Sequence, residues 1–150
     1  MEHLKEHISN AKLEKFNKFH EELSKLYTER APESDELAFF RSRPEVAGYA
    51  ADDNKVVINP FSSLSSEELD AVRRNERVRL FLDETKHDLT FNVEQHQHDF
   101  LQGTEYSGQT KELRQTIIGR ILSGDDTLSP YSVDQRNAAT NVIDSYFKTR

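Results

Sequence analysis

Residues 46–82 read VAGYAADDNKVVINPFSSLSSEELDAVRRNERVRLFL, and the fold turns on how this run is read. Gly48-Tyr49-Ala50 and Val56-Val57-Ile58 flank Asp52-Asp53-Asn54-Lys55. Asp and Asn favour turns because their side chains bond nearby backbone and tolerate left-handed φ. The pattern predicts a small β-hairpin over about 46–59, closed by Asn59-Pro60. Two strands alone are marginal in water, so the hairpin must lean on helices. The first such helix opens at Ser65, with Glu68 three residues on as a capping box. Leu64 and Leu69 are placed to form the hydrophobic staple, and the helix is predicted over about 66–82.

Upstream, residues 2–30 hold neither Pro nor Gly. Leu4, Ile8, Phe16, Phe19, Leu23 and Leu26 recur at helical spacing, which predicts a long amphipathic N-terminal helix. From Phe16 to Leu26 the spacing is that of a bundle or coiled-coil seam. Ala31-Pro32 ends this helix, so the chain divides into a helical segment 1–31 and a single globular domain 32–150. Ser34 is placed to cap a short helix to Phe40, and Pro44 forces Arg43 into extended geometry.

Downstream, Asn92 with Gln95 repeats the capping pattern and Gly103 supplies a stop, predicting a helix over about 93–102. Another is expected over about 110–122, with Leu113, Ile117, Ile118 and Ile121 inward. Ser132 with Gln135 opens the last, about 133–148, along a stripe of Ala139, Val142, Ile143, Tyr146 and Phe147. The fold class is mostly α: a helical domain with a small β-hairpin (α+β) and a long N-terminal helix.

Composition removes several functions. With 150 residues the chain suffices for one core, and with no cysteine it has neither disulfides nor thiolate chemistry. No signal-peptide core or membrane-length apolar run occurs, so the expected location is the cytoplasm of a host cell, or a virion. A net charge of −7 disfavours unspecific binding to nucleic acid or anionic membranes. The one basic cluster, Arg73, Arg74, Arg77 and Arg79, is preceded by Glu67, Glu68 and Asp70, which dilute its field.

Candidate chemistry centres on Glu76. Leu69, Val72, Glu76 and Leu80 share one helical face, and Arg79 borders it. An inward carboxylate needs a partner, since an unpaired buried charge is costly. A buried ion pair or pocket formed by Glu76, Arg79 and Tyr49 is the expectation, with Asn59 nearby. The order hairpin, Asn-Pro, capped helix resembles the minimal zincin core, whose helix carries His-Glu-x-x-His. Here those five positions are Asn75-Glu76-Arg77-Val78-Arg79, so only Glu76 matches and no metal ligand carries over. His96-x-His98 would share a face on a strand but not on the helix expected there. Asp52-Asp53 and Asp125-Asp126 lack the spacing of a calcium loop. No serine stands in a nucleophile elbow and no glycine-rich phosphate loop occurs. We expect no catalytic set, no metal and no cofactor.

A second resemblance covers residues 46–150. The run VVINPFSSLSSEELDAVRRNE, followed by TIIGRILSGD and a closing helix, is similar to small uncharacterised proteins of tailed bacteriophages, especially short-tailed ones. That likeness implies a viral protein without implying an activity. The reading is a non-enzymatic protein-interaction or accessory virion protein, with a virion or host protein, or a second copy, as partner. The expected contact face is Phe16, Phe19, Leu23 and Leu26, acting by helix-mediated association. The alternatives are a zincin-like hydrolase remnant with Glu76 as base, and an acidic inhibitor that imitates DNA.

Overall fold

The computed structural model describes residues 2–94, 97, 110–123 and 131–148, with side chains from residue 14 onward, that of residue 110 excepted. The elements are α1 (Glu2–Leu26), β1 (Glu29–Arg30), α2 (Ser34–Ser42), β2 (Gly48–Ala50), β3 (Val56–Ile58), α3 (Ser66–Thr85), α4 (Thr110–Leu122) and α5 (Val133–Lys148). The chain is mostly α with a small sheet, as the sequence predicts.

The hairpin forms as expected, with Tyr49 opposite Val57, but the sheet has three strands in the order β1-β3-β2. Helix α1 stops at Leu26, and Glu29-Arg30 then pair parallel to Val56-Val57. Glu and Arg are good helix formers, so local propensity favours continuing the helix. A free edge on β3 outweighs it, because pairing satisfies backbone groups there, including Val56 N–H on Thr28 O at 3.0 Å.

Helix α3 lies at the centre, against α4, α1, β2 and β3. Ser65 and Glu68 make the reciprocal capping box foreseen for it, with Glu68 N 3.2 Å from Ser65 Oγ and Ser65 N 3.1 Å from Glu68 Oε1. The helix runs past residue 82 to Thr85 and ends with Lys86 in the left-handed region, φ 52°. Its main core joins α1, α4 and α5 through Phe19, Leu23, Val78, Leu82, Leu113, Ile117 and Val142. Phe19, Phe81 and Tyr146 form a mutually edge-on aromatic trio with centroids 5.6–5.7 Å apart. Full burial of one such ring contributes about 1.5–3 kcal/mol. A separate cluster of Phe40, Ala51 and Val57 lies under α2 on the other face of the sheet.

Glycine sets the α3–α4 approach. Asn75 Oδ1 stands 1.9 Å from where a Cβ on Gly119 would lie, so α4 carries a notch that α3 fills. The start of α2 differs from the prediction. Helix α2 is entered from Glu33 rather than Ser34, with Glu33 N–H on Glu36 Oε1 at 2.8 Å. Of the helix expected over about 93–102, only residues 93, 94 and 97 are described.

Candidate functional site

The face proposed for partner binding is divided by the fold. Phe19 and Leu23 have no exposure, because they supply α1's share of the core. Phe16 packs partly against the same core, and Leu26 alone stays open, at 51 % exposure. Four residues at seam spacing are therefore an inward stripe with one outlying member, and a stripe that packs on its own chain has the same sequence signature as one that packs on a partner.

Glu76, Arg79 and Tyr49 do not form one site. Glu76 is 2 % exposed, on the face of α3 that meets the main core, and Arg79 is half-buried beside it. Tyr49 projects from the opposite side of the sheet, since neighbouring strand residues alternate faces. Gly48 and Ala50 face α3 and the main core, whereas Tyr49 stacks with Phe39 and Phe40 of α2. Its hydroxyl donates to Glu36. Asn59 is also structural: its amide bonds Val46 O at 2.9 Å and accepts from Phe61 N at 2.8 Å, pinning the hairpin's exit.

The tyrosine belongs to a charged clasp. Arg30 donates to both carboxylate oxygens of Glu36, at 2.6 and 3.0 Å, and to Asp53 of the hairpin turn at 2.8 Å. This ties β1, α2 and the hairpin together with a bidentate, charge-assisted pair. Hydrogen bonds from Arg30, the Glu33 N–H and Tyr49 hold the Glu36 carboxyl down at about 2. The Tyr49 phenol is pushed up by its burial and by the Glu36 hydrogen bond.

The basic cluster of α3 is likewise engaged within the fold. Arg73 donates to Glu29 at 2.6 Å and Asp70 at 2.7 Å, and Arg77 to Tyr27 O at 2.9 Å. Burial lowers the pKa of Arg77. Arg74 donates to Ser123 O at 3.1 Å, just beyond α4. His20 of α1 reaches the neighbouring carbonyl of Leu122 through Nε2. A helix C-terminus leaves carbonyls unsatisfied and carries partial negative charge, so an imidazole N–H and a guanidinium are apt partners. Burial depresses the His20 pKa to about 4, despite the raising effect of the Leu122 hydrogen bond.

A buried amide pair connects the segment after α3 with α5. Gln97 and Gln135 exchange Nε2–H···Oε1 bonds at 2.7 and 2.8 Å, and Gln135 also bonds Asn92 O at 2.9 Å. Gln135 closes the capping box of α5 with Ser132 at 3.0 and 3.2 Å. Gln95, the partner predicted for Asn92, lies outside the described residues, as do His96, His98, Asp125 and Asp126.

Two clefts flank the chain just after α3. One, of about 420 Å³, runs between residues 87–92 and α5, with Asp88, Asp134, Asn137 and Asn141 at its rim. The other, of about 350 Å³, lies between the end of α3 and the start of α4, bordered by Lys86, Lys111 and Arg114. Neither is lined by Glu76, Arg79 or Tyr49. These clefts escape a reading of the sequence, because their walls come from segments more than twenty residues apart with no motif in either.

Among the described residues, the side chains close enough to share a cation are Glu33, Asp35 and Glu36, and Glu36 is already held by Arg30 and Tyr49. No helix among the described residues is long and apolar enough to cross a membrane. Protein-family models, curated proteins and solved structures contain no match to this chain.

Proposed function

We propose that this chain is a non-enzymatic protein-interaction protein of the kind carried by tailed bacteriophages, acting in the virion or on a host protein. The observation that supports it is an exposed aromatic and arginine surface around α2. Phe39 is 42 % and Phe61 46 % exposed, large values for rings that normally seek the core. The Arg41 guanidinium lies over the Phe61 ring, 5.3 Å from its centroid. Phe39 meets the edge of Tyr49, so α2 organises both contacts. Aromatic residues and arginine are the types enriched where interfaces concentrate their binding energy. Arg41 has no carboxylate partner among the described residues, which suits a protein surface offering a carboxylate beside an apolar side chain. This moves the proposed contact from α1 to α2, since Phe19 and Leu23 are used by the core. A general base at Glu76 is disfavoured by its burial, because a base must come within hydrogen-bonding reach of its substrate.

The test is capture from host lysate and from purified virions, with nuclease, comparing the full chain with the Phe39→Ser/Arg41→Glu variant. A stoichiometric protein retained by the first and lost by the folded variant is expected. Equal retention by both would remove α2 as the contact surface, and hydrolytic activity lost on Glu76→Gln with the fold intact would displace the reading altogether.

A further inference from the structure

We propose that the cleft between the end of α3 and the start of α4 binds a compact phosphomonoester. Its cations come from both walls. Lys86 follows the last turn of α3, where its own N–H and that of His87 reach back to Leu82 O. This places the Lys86 side chain on the cleft, with no hydrogen bond or ion pair to another described residue. Arg114 is oriented by its Nε, which donates to Phe91 O at 2.9 Å. Neither terminal nitrogen of that guanidinium bonds another described residue, and the fork they form suits a phosphate. Lys111 is only loosely held: its Nζ is 3.9 Å from Asp83 Oδ1, an oxygen that already accepts from Gln115 Nε2 at 2.8 Å.

Among the described residues three permanent cations line the cleft with one carboxylate, Asp88, and with Asp83 beside Lys111 the site still carries net positive charge, on a chain whose net charge is −7. Three donor-bearing cations on two walls match the several oxygens of a phosphate group better than a single carboxylate. The positive charge also ends abruptly: Asp83 lies beside Lys111, and the neighbouring cleft carries Asp88 and Asp134. An extended polyanion would run into these carboxylates, so a compact ligand fits and a nucleic-acid strand does not. The volume of about 350 Å³ exceeds what a phosphate group fills, and Leu89 offers apolar contact for a small organic body.

Lys86 carries a further mark. It occupies the left-handed position after a helix, φ 52°, where glycine is the residue without steric cost. A lysine there costs stability that glycine would not, a cost that contact with a ligand offsets.

The full chain is titrated at constant ionic strength with inorganic phosphate, phenyl phosphate, benzoate and a single-stranded oligonucleotide, followed by amide NMR. Phenyl phosphate is expected to saturate, shifting residues 86–89 and 111–115, with phosphate weaker and benzoate weaker still. Lys86→Gly should raise the melting temperature yet weaken phenyl phosphate binding by roughly fivefold or more, and Lys111→Gln should weaken it without unfolding. Unsaturable shifts, shifts spread over all basic residues, benzoate binding as well as phenyl phosphate, tighter binding of the oligonucleotide, or undiminished affinity in Lys86→Gly would each overturn the assignment.

Discussion

The buried imidazole of His20 makes acid sensitivity between pH 7 and 5 a readable property of this fold. In the native state Nε2 carries the hydrogen that bonds Leu122 O, and Nδ1 has no hydrogen-bond partner among the described residues. Protonation would put a second N–H and a full charge into a site flanked by Arg74 and Arg77. The native pKa is held at about 4, against 6.5 for a free imidazole. Because the folded value is the lower one, this stability is complete above pH 6.5, declines as the pH falls, and is fully lost below 4. The gap is worth about 3 kcal/mol at its limit, of which about 2 kcal/mol is lost between pH 7 and 5. Glu36 barely contributes in that window, since its native value of about 2 and its ordinary value of 4.5 both lie below pH 5.

The assay is urea unfolding at pH 7 and pH 5, followed by helical circular dichroism, for the parent chain and His20→Gln. The glutamine amide keeps a donor for Leu122 O and cannot titrate, and the other histidines are common to both proteins. The parent should lose about 2 kcal/mol more than the variant over this range. An identical loss in both would refute the idea that His20 is neutral and buried in the native state.

Two further substitutions test the packing. Gly119→Ala should destabilise the protein by about 1–3 kcal/mol, although alanine is the better helix former, because its Cβ meets Asn75 Oδ1. Adding Asn75→Ala should recover much of that loss in a thermal melt, and failure to do so would show that the notch is not what sets the α3–α4 distance. Tyr49→Phe removes the hydroxyl from Glu36 and should cost about 1–2 kcal/mol, while Glu36→Ala, which breaks the clasp to Arg30, should cost more by urea denaturation. The reverse order would mean that Arg30 finds sufficient compensation in Asp53.

Much of the architecture was legible because it is written in local chemistry. Ser65 with Glu68 and Ser132 with Gln135 are capping signals that act within a single turn, and both mark helix starts in the structure. The stripes Leu113-Ile117-Ile118 and Ala139-Val142-Ile143-Tyr146 have one periodicity and face one core. Turn residues between two short β-branched or aromatic segments give the hairpin, with Asn54 in the left-handed conformation at φ 60°. Tertiary structure decided what those local rules leave open. A seam such as Phe16-Phe19-Leu23-Leu26 fixes which side of a helix is apolar, but only packing assigns that side to the chain's own core. Strand β1 exists because β3 offers an edge, and its two residues carry no strand signal of their own. Tyr49 parts from Glu76 because the sheet separates them, and the arginines of α3 find Glu29, Tyr27 O and Ser123 O only once distant segments meet. Spacing along the chain determines faces and ends; which faces meet, and so which charges are used within the fold and which are left for a ligand, is fixed only when all the buried surface is satisfied together.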